Sequence, residues 1–248
     1  MLTDACPIYL MQSSVMIDGI GAKYRLQDEA KELTKVNLFN GLEREEIRTI
    51  TNLGARRLFK PSDFVMQVDE AARHLFLVVR GAVDFSVLTS EGSKLLLRRM
   101  APGDIFGVAT FLLEPHGYMG TTQAVSDSEM LVWEHRVVQQ LANRYSRLPQ
   151  NALRAVLGYL AEYTKRHIAI VSSSAEERLA CALTELGART GRIFARGVEV
   201  SVKNEDLASL ADISYFTVSR LLSQWARKGA LEKKRGTVLI RSPEGLIA

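Results

Sequence analysis

The stretch from Asn204 to Ser223 admits few folds other than two short helices crossing at a tight turn. Apolar or small residues fall at Leu207, Ala208, Ala211, Ile213, Val218 and Leu221, the positions that must pack two crossing helices together. Asn204 is expected to cap the first helix, with Glu205 and Asp206 in a first turn where the helix dipole favours negative charge. Ser214 is expected to cap the second. Asp212 stands at the turn, where glycine is usual because the backbone there often needs a positive φ; aspartate tolerates that conformation better than most residues. The outer face of the second helix then carries Ser214, Tyr215, Phe216, Thr217, Ser219, Arg220 and Ser223. Hydroxyls, aromatic surface and one guanidinium are the groups that meet base edges and phosphates. An ordinary helical hairpin with its polar side in water is the competing reading. The fit of every apolar position to a helix-turn-helix favours DNA.

Charge placement points the same way. The 248-residue chain carries a net charge of +4. Between Lys203 and Arg241, eight basic residues (Lys203, Arg220, Arg227, Lys228, Lys233, Lys234, Arg235 and Arg241) face four acidic ones (Glu205, Asp206, Asp212 and Glu232), so this segment holds the whole excess. Attraction to phosphate accounts for such a concentration; a merely solvated face does not require it.

The remaining bulk properties bound the class. A chain of this length can bury a substantial core in one large domain or two, and its 47% hydrophobic and 24% charged composition is that of an ordinary globular protein. No apolar run reaches the roughly 18 residues that span a bilayer. The first 33 residues lack the basic start, apolar stretch and cleavage site of a signal peptide, so a cytoplasmic location without membrane attachment is expected. Cys6 and Cys181 are too few and too distant for a disulfide framework, a four-thiolate zinc site or a cysteine-held iron–sulfur cluster; Cys181 reads as a small core residue.

Along the chain, residues 1–33 show little periodicity and are read as an N-terminal arm or a short helix. Leu38–Ile47 opens a helix expected to run to about Leu53. From Arg56 to Trp133 short β-rich runs (Phe64–Val68, Leu75–Val79, Val83–Leu88, Leu95–Leu97, Met130–Trp133) alternate with turn signals such as Arg80-Gly81 and Pro102-Gly103-Asp104. That spacing predicts an antiparallel barrel or jelly roll. Helical periodicity returns near Glu134. After Pro149 a long helix is expected to about Val171, with Leu153, Leu157, Leu160, Thr164, His167 and Val171 spaced alternately four and three apart, as in a coiled-coil seam. Val156, Tyr159 and Tyr163 form a second strip. One strip is expected to pack on the chain's own domain and the other on its copy in a two-fold dimer, the competing reading being a helix buried inside a larger monomer core. Ser174 and Glu177 have capping-box spacing and mark a boundary, followed by a helix to about Ala188, a short β element at Val198–Val202, the two crossing helices, and a hairpin turning at Arg235-Gly236. The resulting segments are 34–147, an antiparallel β domain; 148–172, the long helix; and 173–248, the helix-turn-helix with its hairpin.

In this order the pieces resemble the Crp-Fnr family, that of the cyclic-AMP receptor protein and the fumarate–nitrate reduction regulator, over roughly Leu38 to Arg241. The likeness rests on Leu38–Leu42, Leu75–Gly81, Pro102–Gly107, Ser174–Leu179 and Thr217–Leu222. It implies an α+β protein: an antiparallel, cyclic-nucleotide-binding-like β-roll, a long dimerisation helix and a C-terminal winged helix-turn-helix. The implied homodimer reads a palindromic promoter site in double-stranded DNA, works with RNA polymerase, and activates or represses transcription. Two-fold-related half-sites would lie about 34 Å apart.

Departures from the family bear on the effector. Members that bind cyclic AMP use a glutamate just after the equivalent of Gly107 and an arginine–serine pair before the next strand. Here Val108 occupies the first place and His116–Thr122 the second, so the candidate pocket residues are Gly107, Val108, His116, Thr121 and Thr122. Thr121 and Thr122 offer hydroxyls, but no Lys or Arg lies between Met100 and His135, and a buried phosphate needs cationic donors. Cyclic AMP is therefore not expected. Cys6 alone cannot replace the cysteine cluster of the family's iron–sulfur sensor. A haem-based gas sensor stays open as an alternative, with His74, His116 or His167 as axial ligand, although histidines at such places usually serve packing or surface roles. The resemblance also implies DNA contacts from Lys203, the seven outer residues of the recognition helix, and Lys234 and Arg235 of the wing. Arg220 retains the family's arginine and can bind guanine O6 and N7. Tyr215 and Phe216 replace an arginine and a glutamate; they touch thymine methyls, or one of them packs inward. A ligand-sensing or docking module without specific DNA binding is the alternative function. Catalysis is not expected, because no nucleophile triad, metal-spaced His/Cys set, phosphate loop or paired carboxylates stand out.

Overall fold

The computed structural model describes residues 36–114 and 116–246. The readings made for residues 1–33 and for Cys6 lie outside the described residues. Two compact units emerge. Among the described residues, one comprises 36–94 and 98–161, and the other 95–97 and 162–246.

The first unit begins with a 3₁₀ turn, Asn37–Phe39, and helix α1, Arg44–Asn52. The single helix expected from Leu38 is thus two pieces. The Glu46 carboxylate accepts the Glu43 N–H at 2.8 Å and closes the start of α1, so the chain cannot run helically through Asn40–Leu42. Eight strands follow: β1 Ala55–Phe59, β2 Phe64–Met66, β3 His74–Arg80, β4 Val83–Leu88, β5 Lys94–Met100, β6 Ile105–Phe106, β7 Thr121–Ala124 and β8 Ser128–Glu134. They form two four-stranded sheets, ordered β1-β8-β3-β6 and β2-β7-β4-β5. Strands β1 and β7 carry no long run of apolar residues and β6 is only two residues long, so none of the three was expected; β2 is shorter than its apolar run and β5 longer.

The continuous apolar runs of β3 and β8 have a structural cause. Phe76, Val78, Met130 and Val132 point into a cluster between the sheets with Met66, Val83, Met100 and Phe106. Leu75, Leu77, Leu131 and Trp133 point the other way, into a cluster with Leu38, Ile47 and Ile50. A sheet covered on both faces has no polar side, so its strands read as unbroken hydrophobic stretches. The Trp133 indole N–H donates to the Ile50 carbonyl at 2.8 Å, pinning α1 onto that sheet. Between β3 and β4 the chain turns at Gly81 with φ +86°, and a side chain there would collide with Ser128.

Helix α2, His135–Arg144, buries Val138 and Leu141 in the helix-side cluster. Helix α3 then runs unbroken over Arg147–Ser172. It starts before Pro149 rather than after it. Proline is tolerated in a first turn because N–H groups there have no intrahelical acceptor. The inward strip of α3 is Leu148, Ala152, Ala155 and Tyr159, with Tyr159 Oη donating to Ile105 O at 2.9 Å. Val156 stays exposed, which corrects the expected strip of Val156, Tyr159 and Tyr163. Asn151 Nδ2 donates to the carbonyls of Leu38 and Asn40, at 2.9 Å each. All six seam residues, Leu153, Leu157, Leu160, Thr164, His167 and Val171, are exposed.

The second unit contains α4 (Ala175–Thr190), β9 (Arg192–Phe194), β10 (Gly197–Ser201), α5 (Asn204–Ala211), α6 (Tyr215–Arg227), β11 (Leu231–Lys234) and β12 (Thr237–Ile240). Ser174 caps α4 with the expected box: its Oγ accepts the Glu177 N–H, and Glu177 accepts the Ser174 N–H at 2.7 Å. The Ser174 backbone N–H, and after it the Ser174 hydroxyl, hold the Glu177 carboxyl below its ordinary pKa. The sheet order is β11-β12-β10-β9, and the core gathers Leu179, Leu183, Leu207, Val218, Leu222 and Trp225. Cys181 is half-buried on α4. The fold is α+β: an antiparallel β-roll, a long helix and a winged helix-turn-helix.

Candidate nucleic-acid interface

Helices α5 and α6 meet at Asp212, which adopts the left-handed conformation (φ 51°, ψ 55°) expected of a turn where glycine is usual. Leu207, Ala211, Val218 and Leu221 are buried between them, with Ala208 and Ile213 partly so. One expectation needs correction. Asn204 is the first helical residue, not the cap; Lys203 holds the N-cap position, and Asp206 accepts its backbone N–H at 3.4 Å. Ser214 does cap α6, its Oγ accepting the Thr217 N–H at 3.1 Å.

The outer face of α6 is presented to solvent. Phe216 is 82% exposed and Tyr215 45%, so neither packs inward. Arg220 and Ser223 are exposed, while Thr217 and Ser219 are half-buried. The hydroxyls are less free than the sequence suggests. Ser223 Oγ donates to Ser219 O at 2.8 Å, and Thr217 Oγ1 lies 2.9 Å from Ser214 Oγ. Ser223, and whichever of Ser214 and Thr217 donates to the other, must break a local bond before it can donate to a phosphate. Lys203 is exposed at the start of α5, and Lys233, Lys234 and Arg235 are exposed on the β11–β12 hairpin, with Gly236 at φ +75° making the turn. Arg241 is spoken for by an ion pair with Glu232.

Sequence reasoning missed Arg178, on the first turn of α4. Its Nε donates to Ala211 O at 2.9 Å and Nη2 to Asp212 O at 3.2 Å, while Nη1 donates to Ser173 O at 2.7 Å. One guanidinium therefore ties the last residues before α4 to the turn of the helix-turn-helix. An ammonium cannot reproduce this fork. The only signal in the sequence was an arginine after the capping box. Arg178→Lys is expected to destabilise the second unit by about 1–3 kcal/mol, the loss of charge-assisted bonds to carbonyls, and urea unfolding followed at Trp225 checks it. An unchanged midpoint would show that the fork carries no stability.

The candidate effector residues do not form one cluster. Gly107 has φ +75°, and a side chain there would strike the His74 carbonyl. Val108 begins a short 3₁₀ turn and packs against the helix-side cluster, not between the sheets. That turn is anchored through Thr110 O, which meets His135 Nδ1 and Gln139 Nε2 at 3.0 Å each. His116 is exposed. Thr121 Oγ1 accepts the Val68 N–H at 3.2 Å. Thr122 is buried opposite Phe85 and Met66, with no hydrogen-bond partner for its hydroxyl. The space between the sheets is filled by stacked Phe76 and Phe106 rings, centroids 4.7 Å apart, with Tyr118 and three methionines.

Two buried cations lie just before the Met100–His135 segment. Arg99 on β5 makes a two-pronged pair with Asp84 on β4, at 2.7 and 2.9 Å. Arg98 pairs with Asp104 at 3.4 Å and stacks 4.3 Å from the Tyr159 ring centroid. Both charges are matched within the fold. These residues therefore do not fit a cyclic nucleotide phosphate. Of the candidate haem ligands, His116 and His167 are exposed; His74 is partly buried, and burial together with the charge of Arg57 holds its pKa below the ordinary imidazole value.

A winged helix-turn-helix joined by a long helix to a β-roll defines the class: a DNA-binding transcription regulator. Residues 56–145 match the cyclic nucleotide-binding domain family and residues 177–248 the Crp-like helix-turn-helix domain. The chain belongs to the Crp-Fnr family of transcription regulators. It is 28% identical over 204 residues to the cyclic AMP receptor protein of Thermus thermophilus, covering 82% of this chain and 92% of that one. Its fold is similar to that of the c-di-GMP responsive global regulator CLP of Xanthomonas campestris, with a TM-score of 0.70, 17% identity, and 81% and 100% of the two chains covered. FixK2 from Bradyrhizobium japonicum gives 0.66 at 21% identity, covering 78% and 96%.

Proposed function

We propose that this regulator acts as a homodimer that reads a palindromic promoter site through α6, with the β-roll modulating that binding. The observation that carries the reading is the outer face of α6, where Arg220, Phe216, Tyr215 and Ser223 stand exposed beside the basic hairpin tip. On this reading Arg220 contacts a guanine, Lys203, Lys234 and Arg235 contact phosphates, and Ser214, Thr217, Ser219 and Ser223 fix the register. The working parts are the domains 34–147, 148–172 and 173–248, with α3 supplying the dimer seam. RNA polymerase is the partner at the promoter, and no catalytic step is assigned. Promoter binding puts the proposed site of action in the cytoplasm; no described helix is long and apolar enough to cross a membrane.

The effector, in this proposal, is not a cyclic nucleotide. Val108 faces the helix-side cluster, and Arg98 and Arg99 already have carboxylate partners. An iron–sulfur cluster is not assigned either, and haem has no support from an enclosed histidine pair. Equilibrium dialysis of the full chain against cyclic AMP tests the point: saturable binding refutes it.

For DNA, the affinity of the purified protein for its preferred duplex is expected to fall linearly on a log–log salt plot, with a slope of about −0.9 per phosphate neutralised. Arg220→Ala is expected to cost roughly 1–3 kcal/mol and to relax preference at one position of each half-site. Binding that ignores salt, or an Arg220→Ala protein with unchanged selectivity, overturns the assignment.

A further inference from the structure

We infer that Phe216 reads the C5-methyl group of a pyrimidine, a thymine in ordinary DNA, beside the guanine contacted by Arg220. The inference rests on the DNA-reading proposal and adds a second chemical determinant to it.

Phe216 stands in the first turn of α6 and Arg220 four residues on, so both project from one side of the helix. Four residues advance about 6 Å along the axis, the span of roughly two base-pair steps. Phe216 has no hydrogen-bonding group, so in the major groove it can distinguish bases only through apolar contact. The thymine C5-methyl is the apolar group displayed there. Tyr215 supports the ring rather than competing with it. The two rings meet edge to face, with centroids 5.9 Å apart and planes at 88°. That contact holds the Phe216 ring in a fixed attitude while leaving most of it bare. Next to it, Ser214 and Thr217 hydroxyls are engaged with each other and with the helix cap, which leaves the ring as the forward-reaching group of that turn.

The test uses the full-length protein and a duplex that it selects from a pool of random double-stranded sequences. Each dT of a half-site is replaced singly by dU, which removes the methyl and leaves every hydrogen-bonding group in place. In both half-sites together, one such replacement is expected to weaken wild-type binding about fourfold or more per half-site, as burial of one methyl group implies. Phe216→Ala should bind the dT and dU duplexes equally, while Arg220→Ala should keep the difference. Phe216 is exposed, so the variant should fold, and its thermal unfolding is to match wild type. If no dT is sensitive, or if Phe216→Ala remains as sensitive as wild type, the inference is overturned while the guanine reading through Arg220 stands. Failure to select any sequence instead removes the DNA-reading proposal itself.

Discussion

Asp84→Ala is expected to destabilise the β-roll by about 3–5 kcal/mol, the cost of leaving a buried charge without its partner. Asp84 and Arg99 are 2% and 5% exposed and held by two short hydrogen bonds across neighbouring strands. Removing the carboxylate leaves a guanidinium that cannot shed its proton and cannot reach water without moving β5. The paired variant Asp84→Leu with Arg99→Met should behave differently. It replaces both charges by apolar groups of comparable bulk, so stability should return to near wild type or above. The chain's two tryptophans fall one in each unit, Trp133 and Trp225. Denaturant unfolding in a Trp225→Phe background therefore reports on the β-roll alone. A wild-type midpoint for Asp84→Ala would show that the pair is structurally idle, and the account of a charge-matched interior would go with it.

The same pair illustrates what the chain reveals before it folds. Fifteen positions separate Asp84 from Arg99, and only the adjacency of β4 and β5 brings them together. A stretch without cations that begins at Met100 stops one residue short of them. Strand β1, with Arg56 and Arg57, and β7, with two threonines and a glutamine, lack the apolar runs by which β3, β4 and β8 announce themselves. Their pairing is decided by neighbours. By contrast, Ser174 with Glu177, the Ser214 cap and the Asp212 turn were legible because each depends on residues within four positions. The Asn204 cap failed for an instructive reason. Side-chain preference pointed to asparagine, but Asp206 reaching back to the Lys203 N–H moved the start by one residue. The outer-face position of Phe216 was legible, but whether its ring folds back inward was not, since an aromatic residue in a first turn serves a core as readily as a groove.

If the proposed seam holds two copies together, Leu157→Glu combined with Leu160→Glu is expected to leave a monomer and to weaken binding to a two-half-site duplex by about 10²–10⁴-fold, the advantage of engaging the second site from the same particle. Leu157 and Leu160 are 55% and 59% exposed in one chain, although the alternating spacing of four and three from Leu153 to Val171 forms an apolar seam along α3. Leucines that touch little within their own chain contribute little to its fold, and glutamate is a good helix former. The circular dichroism of the variant under native conditions should therefore match wild type, which separates loss of association from loss of structure, while its melting temperature should lose the concentration dependence that association confers. Affinity for a single half-site should be unaltered, because the groups on α6 are untouched. Sedimentation and gel-shift titrations on one- and two-half-site duplexes read out all three quantities. Thr164 and His167, the polar members of the seam, would hold register rather than supply affinity, so their replacement by leucine should tighten the pair. A doubly substituted protein that still sediments as a dimer would place the contact on another face, and the two-fold reading of the promoter would lose its geometric basis.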